Sequence, residues 1–164
     1  MGEKKISNIN LEDEQDVYVK RGMVRAEFDF WVGIVMDKFY DGLQNKQFIG
    51  TKCSKCGKVF LPPRNRCGDC FAKAEEFVEL PETGVLKNFT VTNYSVTERR
   101  VRKGKDPIIV GLVQVDGADS AMVVPIVNTT PDDVKEGMKV KAVWATRIKG
   151  HPDDIAGFEP VGGG

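Results

Sequence analysis

All four cysteines of the chain lie in one 18-residue stretch, CSKCGKVFLPPRNRCGDC, residues 53–70. They form two CxxC pairs, Cys53/Cys56 and Cys67/Cys70, with ten residues between the pairs. A CxxC turn presents two sulfur ligands from one tight bend, and two such turns supply a tetrahedral set for zinc. Gly57 follows the first pair and Gly68 lies inside the second, where the backbone must wrap a metal without a Cβ clash. Between the pairs, KVFLPPR reads as a short strand and a proline-stiffened turn, the layout of a zinc ribbon. The alternatives are two disulfides or a redox dithiol. Neither pair resembles a redox CxxC, which sits at a helix start after a strand, and paired motifs at this spacing point to metal first. Four thiolates close the coordination shell, so the expected Zn2+ is structural and performs no chemistry.

Between residues 52 and 73 the ribbon carries Lys52, Lys55, Lys58, Arg64, Arg66 and Lys73 against one acid, Asp69. Either these cations offset the negative charge of a four-thiolate centre, or they form an anion-binding face. Net charge does not decide, because Lys+Arg and Asp+Glu both number 24 in the 164 residues. Any electrostatic function must come from local clustering. The length suits one domain, or one domain with a small appendage. No apolar run approaches the roughly 18 residues of a membrane span. The N-terminal MGEKKISNINLEDEQD lacks the apolar core of a signal peptide, and the expected location is cytoplasmic.

Around the ribbon the pattern changes. Residues 1–25 form a polar extension, its first 20 residues expected to be loose or weakly helical. Residues 26–48 form an amphipathic segment, with a helix expected from Ala26 to about Lys46. Phe28, Trp31, Val32, Val35, Met36, Phe39, Tyr40 and Leu43 follow a helical rhythm, with Phe30 and Ile34 on the opposite side. A helix apolar on two faces is buried on two, either internally or against a partner. Phe28, Phe30, Trp31 and Ile34 are the interface candidates.

The ribbon occupies 49–76, and 77–160 reads as strands: VLKNFTVTNYSVT, PIIVGLVQVDG, SAMVVPIV, KVKAVWATRI and a closing GFEP. The second and third are joined by DGAD, a hairpin signal. TPDDVKEGM is expected to make one short helical turn. About five strands in this length suggest a small closed OB barrel, so the fold class is mainly β with an N-terminal helix. The tail, 161–164, is expected to be disordered. The loop ERRVRKGKD gathers Arg99, Arg100, Arg102, Lys103 and Lys105, as a solvated hairpin tip or an anion-binding arm. The single histidine, His151, reads as a surface residue. No GxSxG, Walker or GxGxxG motif occurs. With every cysteine committed to the ribbon, no thiol remains as a nucleophile, and no activity is expected of the chain alone.

The run FYDGLQNKQFIGTKCSKCGKVFLPPRNRCGDC resembles the signature of the small zinc-ribbon/OB-fold proteins that accompany thiolases. Its marks are Phe39-Tyr40, Gly42-Leu43, Cys53 to Gly57, Pro62-Pro63-Arg64 and Cys67/Cys70, with GMKVKAVW and DIAGFEP downstream. The resemblance implies an N-terminal helical segment, a rubredoxin-like ribbon and an OB barrel. It further implies a non-catalytic scaffold subunit of an acyl-CoA thiolase complex, able to bridge to a second acyl-CoA enzyme. The thiolase would supply the nucleophile, and a CoA thioester would be a shared ligand. Arg64, Arg66, Arg99, Arg100, Arg102 and Lys103 are then candidates for holding CoA phosphates. A thiolase of the 2-benzoylsuccinyl-CoA type is a candidate partner, with this chain as its small subunit.

The rival reading is a single-stranded nucleic-acid binder, since OB folds and zinc ribbons both serve that role. Such a surface needs aromatic side chains for base stacking. Strands 107–116 and 120–127 contain no Phe, Tyr or Trp, which favours the thiolase reading.

Overall fold

The computed structural model describes residues 4–6, 17–19, 26, 27, 29, 31–95, 100, 101 and 106–162. The chain divides into two units, Met1–Trp31 and Val32–Gly164. In the first, β1 (Lys4–Ile6) and β2 (Val17–Val19) pair antiparallel, with Lys5 opposite Tyr18. At these two strands the structure differs from the loose or weakly helical expectation; the rest of residues 1–20 lies outside the described residues. Val17-Tyr18-Val19 is β-branched and aromatic, a composition that suits a strand better than a helix.

The second unit opens with α1 (Ile34–Gln44). The helix begins eight residues later than the apolar rhythm suggests, because Gly33 adopts φ 81 and ψ 157, a conformation that breaks a helix and that glycine enters readily. Phe39 and Leu43 form its buried face, with Met36 and Tyr40 packed beside them, while Ile34 points to solvent. Lys46, in the left-handed region at φ 56, turns the chain into the ribbon.

The ribbon sheet comprises β3 (Phe48–Cys53), β4 (Val59–Phe60) and β5 (Ala74–Leu80), in the order β4-β3-β5. Next come β6 (Thr83–Thr92), the short antiparallel pair β7 (Tyr94–Ser95) and β8 (Arg100–Val101), and β9 (Ile108–Val115). The last strands are β10 (Met122–Ile126), β11 (Lys139–Trp144) and β12 (Ile155–Pro160). Strands β6, β9, β10, β12 and β11 close into a barrel in that order. Its one parallel pairing, Ile126 opposite Phe158, joins β10 to β12. Numbered within the barrel this order is 1-2-3-5-4, the connectivity of an OB fold.

TPDDVKEGM forms a turn instead of a helical turn. The Gly137 N–H bonds the Leu86 carbonyl at 2.7 Å and the Leu86 N–H bonds the Met138 carbonyl at 3.0 Å, which draws the segment back into the sheet. The one 3-10 helix among the described residues is η1, Pro152–Asp154.

Inside the barrel, alternation buries Val113, Val115, Val124, Ile126, Val140 and Phe158. Phe89 lies opposite Gly111, where a Cβ would come within 2.6 Å of the Leu86 and Ile126 side chains. Ribbon and barrel share one core. Phe48 of β3 is fully buried, stacked on Phe158 at 6.0 Å and tilted against Trp144 at 5.1 Å, ring centre to ring centre.

Candidate metal centre and its surroundings

β3 delivers Cys53 at its end, and the chain then reverses through a turn closed by the Gly57 N–H on the Cys53 carbonyl at 3.1 Å. The second CxxC makes the same turn, with the Phe71 N–H on the Cys67 carbonyl at 3.2 Å. The two turns face each other. Cys53 Sγ lies 3.5 Å from Cys70 Sγ, Cys56 Sγ 3.6 Å from Cys67 Sγ, and Cys70 Sγ 3.8 Å from Cys56 Sγ. All four sulfurs fall within 4.8 Å of one another. These separations are far beyond the roughly 2 Å of an S–S bond. A zinc tetrahedron with Zn–S bonds of about 2.3 Å has edges of about 3.8 Å. The donor set therefore fits a structural zinc.

The electrostatics agree. The N–H groups of Cys56 and Lys55 hold the Cys53 thiol down to about 6, and those of Cys70 and Asp69 lower Cys67. The Lys58 N–H pulls Cys56 down too, but the neighbouring thiols overrule it and push it up to about 12. Cys70 is lowered by the Ala72 N–H yet ends raised, through burial and its proximity to Cys53 and Cys67. Four thiols this close cannot all ionise without a cation among them, and a divalent metal removes that conflict.

The ribbon cations are less available than their number suggests. Lys58 pairs with Asp69, Lys52 with Glu76 at 3.6 Å and Lys73 with Glu75 at 3.0 Å. The acids come from β5 as well as from the ribbon loop, so Asp69 is not the sole counter-charge. Arg64 is fixed by its backbone: its N–H donates to Thr51 Oγ1 at 2.9 Å, and that hydroxyl donates to the Arg64 carbonyl at 2.8 Å. Its guanidinium lies 5.5 Å from the Phe60 ring centre. Arg66 donates through Nη1 to the Phe71 carbonyl at 3.1 Å. Both arginines are exposed. Arg100 contributes its backbone to β8, while Arg99, Arg102, Lys103 and Lys105 lie outside the described residues.

Of the interface candidates, Trp31 is 86% and Ile34 72% exposed; Phe28 and Phe30 lie outside the described residues. Of the tail, 163 and 164 also lie outside. His151 is exposed and caps η1, its Nδ1 accepting the Asp153 N–H at 3.2 Å. Sequence reasoning missed two residues. One is Asp154, buried, whose carboxylate accepts the N–H groups of Lys149, Gly150 and His151 and so organises the loop before β12. The other is Phe71, an exposed aromatic with φ 57. No helix among the described residues is long and apolar enough to cross a membrane.

Residues 41–76 match the family model of the rubredoxin-like zinc ribbon domain of ChsH2, and residues 77–145 that of the ChsH2 C-terminal OB-fold domain. The chain is 33% identical over 106 residues to a DUF35 domain-containing scaffold protein of Methanocaldococcus jannaschii, covering 65% of this chain and 72% of that one. A second DUF35 domain-containing scaffold protein, of Methanothermobacter thermautotrophicus, is 28% identical over 102 residues, 62% of this chain and 74% of that one. A crystal structure of a DUF35-family protein of Sulfolobus solfataricus is similar, with a TM-score of 0.55 and 27% identity over 68% of this chain and 78% of that one. A structure described as an Ltp2-ChsH2(DUF35) aldolase shares the fold, with a TM-score of 0.56 and 21% identity over 75% of this chain and 91% of that one. Ribbon and barrel are thus matched in order and across most of the length of a relative, and the chain belongs to the DUF35 family of zinc-ribbon/OB-fold scaffold proteins.

Proposed function

We propose that the chain is a non-catalytic scaffold subunit of a thiolase-type acyl-CoA enzyme complex, shaped by a structural zinc on Cys53, Cys56, Cys67 and Cys70. The observation that carries the reading is that ribbon and barrel share a core in a family whose curated relatives are described as scaffold proteins. The aldolase neighbour, a DUF35 chain named together with Ltp2, supports an enzyme as the partner. Every cysteine of the sequence is gathered in one cluster, so the partner supplies the thiol nucleophile and the acid/base groups. Reduced thiols at such a site suit a cytoplasmic location.

In this reading Arg64 and Arg66, with Arg99, Arg100, Arg102 and Lys103, hold the phosphates of a CoA thioester beside the partner's active site. Arginine suits the task because its planar fork grips phosphate bidentately. Phe28, Phe30, Trp31 and Ile34 are the apolar residues offered to the enzyme, each as a separate candidate contact.

The test is co-expression with the thiolase-type enzyme of the same organism. The two chains co-elute as an active hetero-oligomer, and the isolated chain turns over no acyl-CoA. A Trp31→Asp/Ile34→Asp variant keeps its fold and zinc but loses the enzyme, since both side chains are exposed. Robust turnover by the chain alone would refute the scaffold reading.

A further inference from the structure

The two CxxC turns are built alike but differ at one position. In each, the residue after the second cysteine closes the turn and takes a left-handed conformation, with φ 74 at Gly57 and φ 57 at Phe71. Glycine occupies that region freely, whereas a bulky side chain there crowds its own backbone. Burial does not compensate for the strain at Phe71, because the side chain is 73% exposed. The small core under the ribbon is made by Cys53, Phe60, Cys67 and Ala74 without it. Arg66 Nη1 nevertheless holds the Phe71 carbonyl at 3.1 Å and fixes the strained turn. A strained, exposed, firmly held aromatic residue calls for a function.

We propose that Phe71 is the anchor by which the second CxxC turn docks into an apolar pocket on the thiolase-type enzyme, an inference that rests on the scaffold reading above. The composition beside the ring favours a protein pocket. Arg66 is bonded to the Phe71 carbonyl, and Lys52, Lys58 and Lys73 of the ribbon are paired with Glu76, Asp69 and Glu75. An aromatic side chain next to an arginine is the composition of protein–protein hot spots, which fill desolvated pockets. The turn holds the Phe71 backbone through its N–H and carbonyl, so the residue docks without ordering its main chain, which lowers the entropic cost.

The experiment uses the full-length, zinc-loaded chain and the purified co-expressed enzyme, with Phe71→Gly, Phe71→Asn and Phe71→Leu variants. Glycine and asparagine both tolerate the left-handed conformation and remove the apolar ring. Zinc content is expected to be unchanged and Tm to match or exceed that of the wild type for Phe71→Gly, while Kd for the enzyme rises at least tenfold. Phe71→Asn loses affinity likewise, and Phe71→Leu retains it within a few-fold. A lowered Tm with unchanged Kd makes the ring structural and overturns the proposal. Wild-type Kd in both Phe71→Gly and Phe71→Asn overturns it as well, with the scaffold reading intact. Failure of the wild-type chain to bind the enzyme sinks the scaffold reading and this inference together. Selective loss of binding to a single-stranded DNA oligonucleotide, with enzyme affinity unmoved, shows that the partner class is wrong.

Discussion

Leu61 and Ser120 bond each other twice across the junction of ribbon and barrel. The Leu61 N–H donates to Ser120 Oγ at 2.8 Å, and the Ser120 hydroxyl donates to the Leu61 carbonyl at 3.0 Å. Beside them, the Val59 N–H donates to Asp119 Oδ2 at 2.8 Å and the Asp119 N–H to the Val59 carbonyl at 2.7 Å. The tip of the β9–β10 hairpin thus clips onto the ribbon strand and ties the metal-bearing half to the barrel.

The first prediction tests that clip. Leu61 is 1% exposed, so water does not readily replace a missing partner. Ser120→Ala is expected to cost about 1–3 kcal/mol, the penalty of leaving a buried backbone donor or acceptor unsatisfied. Urea unfolding followed by circular dichroism measures the loss. With the clip intact, zinc release and barrel unfolding are expected to coincide, and adding Asp119→Ala is expected to separate them.

A second prediction concerns the metal. One zinc per chain is expected by elemental analysis, and Cys67→Ser, at a buried ligand, is expected to lose it. Binding needs four thiolates, yet the metal-free thiols span from about 6 at Cys53 to about 12 at Cys56. Protons therefore leave when zinc enters, and zinc affinity rises with pH across the neutral range. Chromogenic chelator titrations at several pH values read that slope. Metal release is also expected to lower the stability of the barrel, because Phe48 and Leu61 belong to the common core.

Much of this arrangement was legible in the sequence, for stated reasons. Two CxxC pairs constrain a metal site through covalent spacing alone, and alternating β-branched residues mark barrel strands. The helix start was not legible, because aromatic residues continue upstream of Gly33 and only the backbone conformation of that glycine ends the pattern. The ion pairing of the ribbon was hidden as well. Lys52 meets Glu76 because β3 and β5 set those two residues opposite each other, and register is a property of the assembled sheet. Asp154 gave no signal because its partners are backbone N–H groups, which carry no sequence identity.

Asp154 carries the third prediction. Burial pushes its pKa up, but the N–H groups of His151, Lys149 and Gly150 reverse this and leave it below its usual value. A folded-state pKa below the unfolded one stabilises the protein above the unfolded carboxylate value of about 3.9. That contribution is lost as pH falls through the folded value. Asp154→Asn cannot ionise, so it is expected to be less stable than the wild type at pH 7. The gap should narrow below about pH 4, where the wild-type carboxyl becomes neutral. Thermal melts of both proteins across this range test the sign. A gap independent of pH would show that shape, and not charge, organises the loop.

The last prediction separates CoA from nucleic acid as the anion served by the ribbon. Arg64 is the best-placed cation, because Thr51 clamps its N–H and carbonyl and the Phe60 face lies beneath its guanidinium. The nearby barrel surface argues against base stacking, since Leu112 and Val123 face each other across β9 and β10 as exposed aliphatic residues. Arg64→Gln, which leaves the Arg66 bond to the Phe71 turn in place, is therefore expected to raise the KM of the enzyme complex for acyl-CoA several-fold, with kcat little changed. Cations gripping phosphates remote from the reacting bond hold ground state and transition state alike, so removing them appears in KM. If Arg64 instead serves a single-stranded nucleic acid, the same variant leaves acyl-CoA kinetics untouched. It then weakens oligonucleotide binding and lowers the salt dependence by somewhat under one unit for each phosphate no longer neutralised. Measuring both ligands on one variant, with Lys58→Gln as a control at an already paired cation, decides between them.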